Sequence, residues 1–256
     1  KGLDFVNDAN GTALEAGATT VNVKVAFKDA GVTDASTAPT TATIDTANSK
    51  KMSLDLSAWV KANQTNNKGK EFTVTYYAKV NKDAEVTNNN KASLEYGNNP
   101  NDTTTTTPSE AKTNTYPLDI NKIKTGSDEK LAGAKFSLYT SAEDAKNGKN
   151  AIKVSGSNGN YVVDPASTTT EFESVKSIDG KSYNLHINGL EAKDYWLVET
   201  QAPEGFNKLT APIKVTITKT GDAEWKVSKD GVEETDKIID IENSTGSILP
   251  STGGRG

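Results

Sequence analysis

Leu118-Asp119-Ile120-Asn121-Lys122 alternates apolar and polar side chains, and this two-residue period decides the fold class. Successive side chains of a β-strand point to opposite faces, so Leu118, Ile120 and Lys122 share one face and Asp119 and Asn121 the other. The same period recurs upstream at Val21, Val23, Val25 and Phe27, at Phe72, Val74, Tyr76, Ala78 and Val80, and at Ala92, Leu94 and Tyr96. Downstream it recurs at Ile213, Val215 and Ile217. Turn pairs separate these runs: Asn10-Gly11, Asn158-Gly159, Asp179-Gly180, Asn188-Gly189 and Asp230-Gly231. Two short stretches have helical spacing. Ser53 to Ala62 carries Leu54, Ala58 and Trp59 on one side, and Ser141 can cap Ala142 to Lys146. Neither changes the class, which is all-β and built from β-sandwich domains.

The chain has 256 residues, enough for two domains that each bury a core. A formal charge of -5 argues against nucleic acid or an anionic membrane as partner. No run of about 18 apolar residues is present, and Lys1-Gly2-Leu3-Asp4-Phe5 has no apolar signal region. An exported form would therefore be a mature or trimmed piece. The absence of cysteine excludes disulfides, thiolate metal sites and cysteine nucleophiles together. A single histidine, His186, leaves little for a Ser-His-Asp triad or a histidine metal site, so no cofactor is expected.

Asn98 to Asn114 departs from the alternating pattern. It holds Asn98-Asn99-Pro100, the threonine run Thr103 to Thr107 and Pro108-Ser109, without apolar anchors, which is the composition of a linker. The domains expected are residues 1–114, comprising a first sandwich and the Thr-rich linker, and residues 115–243, a second sandwich. Residues 244–256 form a polar tail.

Leu249-Pro250-Ser251-Thr252-Gly253 in that tail fits the LPxTG recognition pattern of sortases. Pro250 pre-bends the chain and Gly253 leaves the carbonyl of Thr252 unshielded, which suits a transpeptidase acting on an extended segment. The hydrophobic span and basic tail that usually follow such a motif are not among Gly254-Arg255-Gly256, so a longer protein is expected.

Strand parity singles out three polar residues. Lys122 shares a face with Leu118 and Ile120, Glu199 with Tyr195 and Leu197, and Asn243 with Ile239 and Ile241. A lysine, a carboxylate and an amide on inward faces are costly unless they satisfy one another.

Leu118 to Lys122 with Leu131-Ala132-Gly133-Ala134-Lys135-Phe136-Ser137-Leu138-Tyr139 resembles the opening of a Cna-B-type domain of Gram-positive pilins. Tyr195-Trp196-Leu197-Val198-Glu199-Thr200-Gln201-Ala202-Pro203-Glu204-Gly205-Phe206 resembles the pilin E-box, and Ile239-Asp240-Ile241-Glu242-Asn243 the last strand. The resemblance spans about residues 116 to 243. It implies tandem Ig-like, Cna-B-type sandwiches and an intramolecular isopeptide bond between Lys122 and Asn243, with Glu199 as catalytic acid. An apolar site would lower the lysine pKa and raise that of Glu199. Lys124, on the same parity, is the alternative donor. The reaction runs once per molecule, so no enzyme in the ordinary sense is expected.

Residues 1 to about 112 also resemble a pilin domain, with Lys1 to Phe5 matching a strand that usually lies well inside it. The first sandwich is therefore expected to be incomplete at its N-terminus. Asn98 is the expected acceptor of a second cross-link whose lysine is not in the chain, with Asn90 as alternative; both also suit turns. No inter-subunit lysine is assigned, because the only Tyr-Pro is Tyr116-Pro117-Leu118.

Taken together, the resemblance implies a major, backbone pilin in a fibre of identical subunits on the cell wall. Its partners would be pilin-specific and housekeeping sortases and peptidoglycan. The alternative is a minor pilin or wall-anchored adhesin that binds a host surface ligand. Asp8-Ala9-Asn10-Gly11 has a trace of a calcium loop, but its spacing suits a turn. Trp59, Trp196 and Trp225 are expected at the core or its rim.

Overall fold

A computed structural model describes residues 1–99 and 101–246. The chain separates after Ala84 into two compact units, Lys1–Ala84 and the residues from Glu85 onward.

In the first unit β1 (Leu3–Val6) pairs with β7 (Tyr77–Val80), and β3 (Lys24–Phe27) with β6 (Phe72–Thr75), all antiparallel. β2 (Thr20–Asn22), β4 (Thr41–Ile44) and β5 (Met52–Ser53) form a third small sheet. Val21, Val23, Ala42 and Ile44 make its buried core. The expected helix appears as α1 (Ser57–Asn63) and buries Trp59 between Phe27 and Phe72, with ring centroids 5.0 and 5.1 Å away. The indole N–H donates to Asp34 at 2.9 Å. The long alternation from Phe72 to Val80 divides into β6 and β7, and its apolar set is not a buried face. Phe72 and Val74 remain 37 and 38% exposed, and β6 pairs with β3 alone among the described residues. Asp8 Oδ1 accepts the amides of Asn10 and Thr12 at 2.9 and 3.1 Å, a side-chain-stabilised turn.

The Thr-rich stretch, expected as a linker, is built into paired strands. β8 (Thr87–Ala92) pairs in full register with β11 (Ser109–Asn114), and β9 (Glu95–Asn99) with β10 (Asp102–Thr105). Backbone pairing needs no apolar anchor, and β-branched threonine suits an extended chain. These strands belong to the second unit, so residues 85–114 group with the domain that follows.

The second unit is a two-layer sandwich. One sheet runs in the order β14 (Val154–Ser157), β15 (Asn160–Val163), β17 (Leu185–Leu190), β12 (Tyr116–Lys124), β22 (Ile238–Asn243). The other runs β16 (Phe172–Glu173), β13 (Lys135–Tyr139), β18 (Asp194–Gln201), β19 (Ile213–Gly221), β20 (Glu224–Lys229), β21 (Val232–Glu234). Leu118, Ile120, Phe136, Leu138, Leu197, Val215 and Ile239 fill the space between them. α2 (Ala142–Asn147) is capped as expected, with Ser141 Oγ accepting from the Asp144 amide at 3.1 Å. Asn158-Gly159 makes the β14–β15 turn with both residues at positive φ, as does Asp230-Gly231 between β20 and β21. Asn188-Gly189 is not a turn. It lies inside β17, where Gly189 at φ 85° and a one-residue register shift against β12 mark a bulge.

Candidate functional site

Three strands deliver the three parity residues to one place. β12 carries Lys122 and β22 carries Asn243, and these strands are parallel neighbours with Lys122 opposite Ile241 and Lys124 opposite Asn243. Lys122 and Asn243 are therefore diagonal neighbours on the inward face, within reach of a long side chain. Glu199 comes from β18 in the facing sheet. The constellation thus spans both layers of the sandwich.

All three are buried: Lys122 is 0%, Asn243 1% and Glu199 2% exposed. The Lys122 amine donates to the Ile241 carbonyl at 3.1 Å, two residues before Asn243 on the same strand. Asn243 Nδ2 donates to Glu199 Oε1 at 2.9 Å and to the Asn207 carbonyl at 2.7 Å. Glu199 Oε1 also accepts the Leu209 amide at 3.0 Å. Two further buried atoms, Glu199 Oε2 and Asn243 Oδ1, have no hydrogen-bond partner. A native interior seldom leaves such atoms unmatched, so orphans beside a buried amine ask for a chemical reason.

Burial pushes the Lys122 amine down to about 8, against the opposing pull of the Glu199 and Glu242 charges. Roughly a tenth of the amine is then neutral at pH 7, about 300-fold more than for a solvated lysine. A neutral amine beside a carboxamide, with a carboxylate bonded to the amide nitrogen, is an arrangement suited to acyl transfer. Lys124 lies directly opposite Asn243 but is only half-buried, at the strand end.

Two residues at the site were not singled out from sequence. Asn184 is fully buried against the Lys122 backbone. Asn207 donates its amide to the Ser244 carbonyl at 2.9 Å and its side chain to the Gly246 carbonyl at 3.0 Å, besides holding Asn243 Nδ2. Both bond to backbone atoms of distant segments, which leave no periodic signal.

Other expected positions fall elsewhere. The backbone of Asn98 lies in β9, and its side chain is outside the described residues; Asn90 lies in β8 opposite Ala111. Leu249 to Gly253 is also outside the described residues. His186 is a strand residue whose Nδ1 lies 2.5 Å from Asp119 Oδ1. Trp225 packs on Tyr116 at 6.0 Å, and Trp196 lies under the Lys214 amine at 5.6 Å.

Residues 116–231 match the family model described as the SpaA prealbumin-like fold domain. No curated protein matches the sequence. Among solved structures, the backbone protein of the group B streptococcus pilus 2b is 22% identical, with 72% of this chain and 61% of that chain covered and a TM-score of 0.41. BcpA, the major pilin subunit of Bacillus cereus, is 17% identical, with 95% of this chain and 59% of that one covered and a TM-score of 0.45. GBS52, the minor pilin of Streptococcus agalactiae, is 27% identical, with 55% and 48% covered and a TM-score of 0.35. The chain thus spans roughly half to three fifths of the length of each. The stretch matched by that model lies within the second sandwich, which is similar to the SpaA prealbumin-like fold domain.

Proposed function

We propose that the chain is a structural shaft subunit of a pilus on a Gram-positive surface, joined to its neighbours by a sortase through Thr252 and locked internally by a Lys122–Asn243 isopeptide bond. The observation that carries this reading is the buried trio of Lys122, Glu199 and Asn243, held across two sheets with its amine largely desolvated.

The chemistry balances without an outside reagent. The neutral Lys122 Nζ attacks Asn243 Cγ, forming a carbon–nitrogen bond and leaving an extra proton on Nζ. Glu199 takes that proton and hands it to Nδ2, which it already contacts at 2.9 Å. The Cγ–Nδ2 bond then breaks and ammonia leaves, so an amide replaces an amide. Enclosure matters twice: it raises the neutral fraction of the amine and excludes water that would hydrolyse an activated acyl carbon. The step turns over once per molecule, and the product is a cross-link between strands whose ends are neighbours in one sheet.

A covalent tie suits a fibre under tension. Unfolding a domain of this size typically needs 5–15 kcal/mol, whereas separating β12 from β22 at this point would require cleaving a covalent bond. The sorting motif at Leu249 to Gly253 supplies the complementary, inter-subunit linkage. Denaturing gels of cell-wall extracts test the role: a ladder of covalent polymers that collapses in Thr252→Ala supports a shaft subunit. A single band insensitive to that change would instead indicate an anchored minor pilin or adhesin.

A further inference from the structure

β17 begins at Leu185, and its ladder to β12 ends with Ile120 opposite Leu185. Lys122, two residues further along β12, lies beyond that ladder; on that side its carbonyl accepts the Leu131 amide at 2.8 Å, next to an isolated bridge between Ile123 and Lys130. The Lys122 amide is left to the side chain of Asn184. Its Oδ1 accepts the Lys122 amide at 2.6 Å, and its Nδ2 donates to the Lys122 carbonyl at 3.1 Å. The same Nδ2 reaches the carbonyls of Leu131 at 3.1 Å and Val175 at 2.9 Å. The Asn184 backbone is itself fixed, donating to the Ile120 carbonyl at 3.0 Å and accepting from the Val175 amide at 3.1 Å. At 0% exposure, this amide has no water to replace a lost partner.

We propose that Asn184 is the positioning residue of the cross-linking reaction: by bonding both backbone groups of Lys122 it fixes the direction from which the amine approaches Asn243. This rests on the isopeptide reading above. Lys122 is clamped between β22 on one side and, on the other, the Asn184 amide together with the Leu131 N–H, and of these only Asn184 holds the Lys122 N–H, which limits the swing of its Cα–Cβ vector. Reaction between two bound groups depends steeply on that vector, and a misplacement of about 1 Å costs about 10²-fold in rate. The role is distinct from that of Glu199, because the Asn184 side chain bonds backbone groups of Lys122, Leu131 and Val175 and not the reacting groups.

The test follows ammonia loss by intact mass after refolding from denaturant, across pH 6 to 10, for the unaltered chain, Asn184→Ala and Asn184→Ser. Only molecules with a native near-ultraviolet circular dichroism signal are scored, so a folding defect does not enter the rate. Asn184→Ala is expected to react about 10²-fold more slowly at every pH, with an unchanged pH midpoint. Asn184→Ser, which keeps one hydroxyl for the Lys122 backbone, is expected to fall between; its rate decides the matter if the alanine variant does not fold. Folded variants that cross-link at the parent rate would overturn the positioning role while leaving the isopeptide reading intact. A parent chain that loses no ammonia would overturn both.

Discussion

Replacing Glu199 by Gln removes the proton carrier while keeping its shape. In the structure Oε1 accepts from Asn243 Nδ2 and from the Leu209 amide, and a glutamine oxygen can accept the same two bonds. The fold should therefore hold. Two effects then oppose each other. Loss of the Glu199 charge removes the largest influence holding the Lys122 pKa up, so the amine becomes neutral more readily and this alone would speed attack. Loss of proton transfer slows the collapse to amide and ammonia by about 10²–10⁴-fold. At pH 7 roughly a tenth of the amine is already neutral, so the first effect can contribute at most about tenfold. The second wins, and the net expectation is a slowing of about 10 to 10³-fold. The assay is intact mass against time after refolding, with circular dichroism to confirm that the variant is native. A Glu199→Gln chain that cross-links as fast as the parent, or faster, would refute the assignment of proton transfer to this carboxyl.

Three other outcomes are expected. Asn243→Ala leaves Lys122 as a free buried amine whose pKa, about 8 when folded, lies below its ordinary 10.5. The unfolded chain then binds more protons between those values, so the penalty is full below pH 8 and the variant gains about 3 kcal/mol by pH 10.5, measured by urea unfolding against Lys122→Met/Asn243→Ala; a flat difference would contradict the desolvation argument. In the same Asn243→Ala variant the loop of about 120 residues closed by the cross-link is opened, which should cost about 5 kcal/mol and lower the Tm of the second domain by roughly 15 °C in calorimetry. Finally, Lys130 Nζ lies 2.5 Å from Asn121 Oδ1, and Asn121 Nδ2 donates to Asp240 Oδ1 at 2.9 Å, which repeats the amine–amide–carboxylate order on the outer face of the sheet. Lys130 is half-buried and Asp240 exposed, so this trio keeps its hydration, and Lys130→Ala should leave the mass deficit unchanged.

The site was legible because its residues obey the strand period. Lys122, Glu199 and Asn243 each extend an apolar inward row by one position, and a polar residue on such a row needs a partner. Asn184 and Asn207 escaped because their partners are backbone atoms of segments far away in sequence, and nothing in Tyr183-Asn184-Leu185 distinguishes a clamp from an ordinary strand entry. The Thr-rich stretch reads as a linker for a related reason: β8 to β11 are held by backbone pairing, which leaves no apolar signature. Asn188-Gly189 carries the residue types of a hairpin turn, yet the same positive φ of a glycine also permits a bulge, and only the pairing of β17 with β12 decides between them.

The most direct test of the central claim is the intact mass of the folded chain, followed by digestion and fragmentation of the linked peptide. The account predicts a mass one ammonia below that of the sequence, and a branched peptide joining the segment around Lys122 to the one ending at Asn243. An unshifted mass, or a deficit mapping to any other lysine and asparagine, would contradict it.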